Sequence, residues 1–467
     1  MWQVCSTGLV PSYVGAFQSR LHSLSFMRSQ GLFTRFSRRH PVREAEVARP
    51  RFVSGVMLIL ISTVISGVAA YVVTWLVPHQ IGLGGYATFA VFWSFLYFVI
   101  GSLTGIQQEV TRSTTAATTE SSQHASRARN FGLAFGAAVF VVVVVTAPLW
   151  VRAAFPVDGW NLVWPFAFGT ASFVMVAVLA GSLYGIAKWA PLALMISVDA
   201  LLRLLGVSVV LSVTSSIVAL AWAVAVPFPL TLVVLWPFIR SSVVGRTQLD
   251  VGYRAILWNV ARTILAAAST GIMVSGLPFL LGLSSRGVPK ATFGLVILAT
   301  TLTRAPLIVI AQSLQSYFII SFRDNVHYFW RTLLRLEALV IAAGIVLAAL
   351  AWLIGPAVFG FLFPANARPD GTFLGALVLS SALVAALCIT APAVLSRTAH
   401  FVYTLGWLGG ATATIVSLML PLDFTTRTII ALFAGPIAGL AVHGGYLALQ
   451  SRRGSTRHST KSPSATA

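Results

Sequence analysis

Residues 131–151 read FGLAFGAAVFVVVVVTAPLWV, a run without one charged side chain. About 20 apolar residues in a helix, rising about 1.5 Å each, match the roughly 30 Å hydrocarbon core of a bilayer. Comparable runs recur near 53–77, 84–106, 162–186, 190–213 and 215–239, then near 258–283, 290–315, 334–355, 372–396, 399–420 and 427–449. Strands of an outer-membrane barrel would instead alternate over about 10 residues. The sequence predicts an all-α, polytopic membrane protein of about 12 transmembrane helices.

Composition agrees. Of 467 residues, 57% are hydrophobic and 9% charged, where soluble domains carry roughly a quarter charged residues. An ordinary soluble enzyme and a disordered chain are both excluded. The formal charge is +20, from 31 Lys+Arg against 11 Asp+Glu. In a soluble protein that balance would suggest nucleic acid; in a membrane protein it follows from the positive-inside rule, and no nucleic-acid partner is expected.

The loops taken in order divide that charge unequally. One side holds Arg112, Arg127, Arg129, Lys188, Arg240, Arg246, Arg254, Arg323, Arg331, Arg335 and Arg397, the other Arg152, Arg286, Lys290, Arg368 and Arg427. Both tails add Arg to the richer side. A plasma-membrane protein with both termini in the cytoplasm is expected.

The expected organisation is a basic tail over 1–52, six spans over 53–239, a basic connector over 240–257, six more spans over 258–449, and a solvated, disordered tail over 450–467. The first tail is either a segment that lies on anionic lipid or an over-long reading of the gene starting upstream of Met27. An internal echo supports two related halves. Tyr86-Ala87-Thr88-Phe89 opens the second span and Lys290-Ala291-Thr292-Phe293 the eighth, each after a Gly-Leu pair. Six-span repeats in parallel orientation are a transporter architecture.

Catalytic chemistry is hard to find. The first outer loop, Pro78 to Leu83, has no acid, and the outer acids Asp158, Asp370 and Asp423 are scattered singly. No paired carboxylates stand ready as acid and base, and no phosphate-binding glycine loop is present. Cys5 and Cys388 supply neither a disulfide framework nor a metal cluster. No catalytic residue, metal or cofactor is expected.

Ionisable residues inside spans carry the information, because they are costly in hydrocarbon. Arg304, beside Pro306 in the eighth span, either faces a wet cavity and holds a phosphate through its planar fork of donors, or locks its helix to a neighbour. Asp199 and Arg203 lie four apart on one helix face, where they neutralise each other or serve as a proton or cation site and an anion contact. Arg262, near the start of the seventh span, either snorkels to the headgroups or joins the anion contacts. Glu109 and Glu337 read as interfacial, and His443 as packed.

Leu83-Gly84-Gly85-Tyr86-Ala87-Thr88-Phe89-Ala90 resembles the "LG-x-x-x-YG-x-F" stretch of polysaccharide flippases in the multidrug/oligosaccharidyl-lipid/polysaccharide (MOP) exporter superfamily. Gly101 to Arg112 is similar to that family's exit from the second span. The resemblance implies a V-shaped pair of six-helix bundles around a central cavity. Such a protein moves polyprenyl-pyrophosphate-linked oligosaccharide or polysaccharide precursors to the outer leaflet by alternating access. Arg304, Arg203 and Arg262 would then contact pyrophosphate, and polysaccharide assembly enzymes become expected partners. Tyr86-Ala87 departs from the family's Tyr-Gly. The uncharged first span counts against lipid II as cargo. Two rivals remain: a proton- or sodium-coupled multidrug or metabolite antiporter of the same superfamily using Asp199, and a membrane glycosyltransferase or polymerase subunit.

Overall fold

A computed structural model describes residues 41–116, 128–156, 158–244, 247–249, 252–284, 287–324, 328–363 and 368–459. Most of the basic N-terminal stretch and the last residues of the C-terminal tail lie outside these. The protein is an all-α polytopic membrane protein. Among the described residues, eleven helices are long and apolar enough to cross a bilayer, and the first holds two spans. That helix, α1 (Pro41–Ser113), is broken only at Gly82, whose φ of 68° and ψ of 171° suit a residue without a Cβ. The sequence suggested a loop over 78–83; one residue makes the turn instead.

Two expected boundaries move. α1 begins at Pro41, ahead of the apolar run, with proline at a position where its missing N–H costs nothing. The last helix runs to Ser459, past the apolar run and through Gly454.

The first compact unit is Met1–Ala268. After α1 and strand β1 (Thr114–Ala116) come α2 (Ala128–Ala154), α3 (Gly159–Gly185), α4 (Trp189–Val213), α5 (Ile217–Ala225), α6 (Pro227–Val243), strand β2 (Thr247–Leu249) and most of α7 (Tyr253–Val274). Pro227 divides the sixth span into α5 and α6. The strands pair antiparallel, with Thr114 opposite Leu249. An aromatic cluster fills the unit near the α2–α3 turn, where Phe95 stacks on Phe166 at 4.4 Å and Trp150 packs edge-on to Phe95 at 5.3 Å.

The second unit is Ser269–Ala467. It holds the end of α7, α8 (Leu277–Ser284), α9 (Lys290–Ser313), α10 (Gln315–Asp324), α11 (Phe329–Leu362), α12 (Gly371–Leu395), α13 (His400–Leu418) and α14 (Phe424–Ser459). The units divide inside α7 rather than at the 240–257 connector, for a reason visible in its hydrogen bonds, described below.

The two units repeat one plan. The fourth span of each half, α3 and α12, is its central helix, 72% buried in both cases. Each begins at the glycine of an Asp-Gly pair, Asp158-Gly159 and Asp370-Gly371. Each ends in a tight turn through a non-glycine residue of positive φ, Ala187 at 54° and Thr398 at 59°. The span before each is the outermost of its half.

Candidate functional site

Four of the membrane-embedded charges lie in the first unit. Asp199 and Arg203 sit one turn apart on α4, and Arg203 Nη2 lies 2.9 Å from both carboxylate oxygens. Arg203 Nε also donates to the carbonyl of Val224 at 3.4 Å, beside the α5–α6 break. Its guanidinium carbon stands 4.8 Å from the Phe228 ring centroid and 5.6 Å from that of Tyr97. Both residues are buried. Of the two readings of this pair, the geometry contains the mutual neutralisation.

Glu109, read as interfacial, is buried within the protein, and it collects three donors. Arg112 Nε and Nη2 bind it at 2.9 and 2.6 Å, and Asn259 Nδ2 from α7 donates to Oε1 at 2.8 Å. One turn further along α7, Thr263 donates to the Gly105 carbonyl at 3.0 Å. The helices can approach because Gly105 has no side chain: a Cβ there would fall 2.6 Å from the backbone nitrogen of Ile264. These bonds fasten the first part of α7 to the second span. Arg262, between Asn259 and Thr263 in sequence, is exposed.

Arg304 lies in the second unit, so the three arginines read as anion contacts are not gathered within one unit. It is buried on α9, and its Nε has no hydrogen-bond partner among the described residues. Pro306, two residues on, removes a backbone donor from the same helix.

His443 on α14 is fully buried, as packing predicts. Its Nδ1 lies 3.3 Å from Thr390 Oγ1 and its Nε2 3.3 Å from the Tyr403 carbonyl. Glu337, on α11, is half-buried. Its Oε1 is buried without a hydrogen-bond partner among the described residues. The signal was its spacing from Leu333 and Val340, which puts it on the face of α11 turned to the core.

The loop acids have local tasks. Asp370 caps α12, accepting from the backbone N–H groups of Thr372 and Phe373 at 2.9 and 3.3 Å. Asp423 accepts from Thr426 N at 2.9 Å, and that bond holds its carboxyl below the usual carboxylate range. Among the described residues, no group of His, Cys, Asp and Glu is placed to hold a metal ion.

No protein-family model matches the chain. An uncharacterised protein of Mycobacterium bovis is 29% identical over 386 residues, which is 82% of this chain and 89% of that protein. An uncharacterised protein of Mycobacterium tuberculosis is 29% identical over 389 residues, 83% of this chain and 90% of that one. Among solved structures, an inward-facing multidrug resistance MATE family transporter of the MOP superfamily matches with a TM-score of 0.62 at 14% identity, over 85% of this chain and 96% of its own. A eukaryotic MATE transporter matches with a TM-score of 0.54, also at 14% identity, over 86% and 96%. At such identities the likeness is one of fold, and the fold is that of MATE transporters of the MOP superfamily.

Proposed function

We propose that the chain is a MOP-superfamily transporter that passes polyprenyl-pyrophosphate-linked oligosaccharide or polysaccharide precursors from the inner to the outer leaflet of the plasma membrane by alternating access. The observation that carries this reading is Arg304. A guanidinium inside a span costs about 2.5–3.5 kcal/mol on insertion scales, and its Nε has no hydrogen-bond partner among the described residues. A planar cation with an unused donor suits an anionic, phosphate-bearing cargo. The Arg-rich loops and tails would lie on the cytoplasmic side, against anionic lipid, where such a precursor is assembled.

The chain acts as a carrier and not as an enzyme in this reading. Asp370 and Asp423 are engaged in capping helices, which leaves them poorly placed as a glycosyltransferase acid and base.

A second reading is a cation-coupled multidrug or metabolite antiporter. The solved structures of like fold favour it, since the first of them is a multidrug resistance transporter. The pairing of Asp199 with Arg203 weighs against Asp199 as its coupling acid.

The test is the leaflet distribution of polyprenyl-linked glycans in cells lacking the gene, before and after its restoration. Accumulation on the cytoplasmic side, cleared on restoration, is the expected result. An unchanged distribution with new drug sensitivity overturns it in favour of the antiporter.

A further inference from the structure

The second span, the part of α1 that follows Gly82, turns no bare face to lipid. From Leu83 to Thr111 none of its residues is exposed, whereas the first span bares Val64 and Val68. The half-buried residues of the second span therefore border space enclosed by the protein. Two of them, Trp93 and Tyr97, lie near the middle of the span. Trp and Tyr usually gather at the membrane surfaces, where their polar ends reach water.

These rings belong to a ladder. Phe89 leans on Trp93 at 5.5 Å, and Trp93 lies nearly parallel to Tyr97, 5.1 Å away with 15° between the planes. Arg203 of α4 ends the ladder, standing over the Tyr97 ring and over Phe228 of α6. Stacking engages the ring faces and leaves the edges. Among the described residues, neither the Trp93 indole N–H nor the Tyr97 hydroxyl has a hydrogen-bond partner. The two residues are one helical turn apart, about 6 Å along the axis. Polar groups left unmet at that depth are costly, yet the stack holds both in place.

The chemistry of this edge selects among ligands. A lipophilic cation is drawn to an open aromatic face or to a carboxylate. Here the faces are engaged, and Asp199 is held by Arg203 at 2.9 Å. A phosphate calls for a free cation, and Arg203 is committed to Asp199. The ladder offers electropositive ring edges, an N–H that only donates, and a hydroxyl that donates and accepts. A neutral ligand dense in hydroxyl and ether oxygens answers all of these.

We propose that Trp93 and Tyr97 form a carbohydrate-binding edge of the first six-span half, which hydrogen-bonds neutral sugar residues of the cargo. That sugars reach the site rests on the transport reading above; the binding itself is measurable without transport.

The experiment is saturation-transfer NMR on the purified full-length protein in lipid nanodiscs. The probes are four neutral sugars (maltotriose, lactose, diacetylchitobiose and methyl mannoside), with tetraphenylphosphonium as the cation and inorganic phosphate as the competing anion. Trp93→Phe and Tyr97→Phe each keep the ring and remove one hydrogen-bonding group; gel filtration checks their folding, and Tyr97→Phe, which loses a single oxygen, decides if the other fails. The expected result is that the wild type binds at least one sugar and that each variant binds it about two- to tenfold more weakly, the value of one neutral hydrogen bond. Phosphate should not displace that sugar, and binding of the cation should be the same in all three proteins. The proposal is overturned if no sugar binds, if the variants bind sugar as the wild type does, if phosphate displaces the sugar, or if only cation binding changes. Sugar binding that behaves as expected beside an unchanged leaflet distribution would overturn the flippase reading and leave this site standing. Altered leaflets beside unaltered sugar binding would do the reverse.

Discussion

Asn259 and Glu109 are 150 positions apart in the chain, yet the amide of one donates to the carboxylate of the other at 2.8 Å. Arg112 shares that carboxylate, but its side chain is 51% exposed, whereas Glu109 is 4% exposed. A hydrogen bond to a buried charged group contributes about 1.5–3 kcal/mol, and an exposed ion pair about 0–1 kcal/mol. Asn259→Ala should therefore destabilise the protein by about 1.5–3 kcal/mol and Arg112→Ala by less. Thermal unfolding in detergent checks this, and the reverse order would mean that the ion pair, not the amide, fastens α7.

Asp199 and Arg203 make a different kind of contact, an ion pair removed from water on one helix. Removing one partner of such a pair strands the other and costs about 3–5 kcal/mol. Asp199→Ala and Arg203→Ala should each lower the unfolding temperature strongly. The double variant should fall well short of the sum, because no stranded charge is left. Additive losses would show that the two residues act separately.

Arg304 separates cargo binding from stability. Under the proposed function, Arg304→Ala should reduce export about tenfold or more, the value of a lost charge-assisted hydrogen bond, while protein levels in the membrane stay normal. Arg304→Lys keeps the charge but not the planar fork and should recover only part of the activity. Glycan export in cells, normalised to membrane protein, measures both. Full export by the Ala variant would mean that Arg304 serves its own helix.

Asp423 gives the start of α14 an acid dependence. Its carboxyl is lowered by the hydrogen bond from Thr426 N, so the charged form favours the folded state. That contribution is complete above the ordinary carboxylate range and is lost as pH falls through the lowered value. The protection of the Thr426 amide, its exchange rate relative to the intrinsic rate at each pH, should fall on acidification in the wild type and stay unchanged in Asp423→Asn.

The spans were legible because a bilayer demands long uncharged helices, and residues such as Val141 to Val145 can be little else. The Asp199–Arg203 pair was legible because helical spacing brings residues four apart together. The Tyr86 and Lys290 echo suggested two related halves, whereas the Asp158-Gly159 and Asp370-Gly371 pairs became a match only once the structure placed each at the start of its half's central helix. The Glu109–Asn259 bond was not, since no local rule joins residues from the second and seventh spans. Glu337 stood close enough to Arg331 and Arg335 to pass for a headgroup residue; only the packing of α11 on α12 turns its oxygen inward.

The pairing of Thr114–Ala116 with Thr247–Leu249 also has a timetable. Roughly 130 residues, including four complete spans, must be synthesised between the two strands, which takes about 7–26 s at usual translation rates. Through that interval the backbone amides of the first strand have no chain to answer them. The little sheet closes only when the third to sixth spans have left the ribosome and found their places. A nascent chain halted before Leu249 is thus chemically distinguishable from a finished first half by one unmet strand edge, a mark of incompletion written in backbone hydrogen bonds.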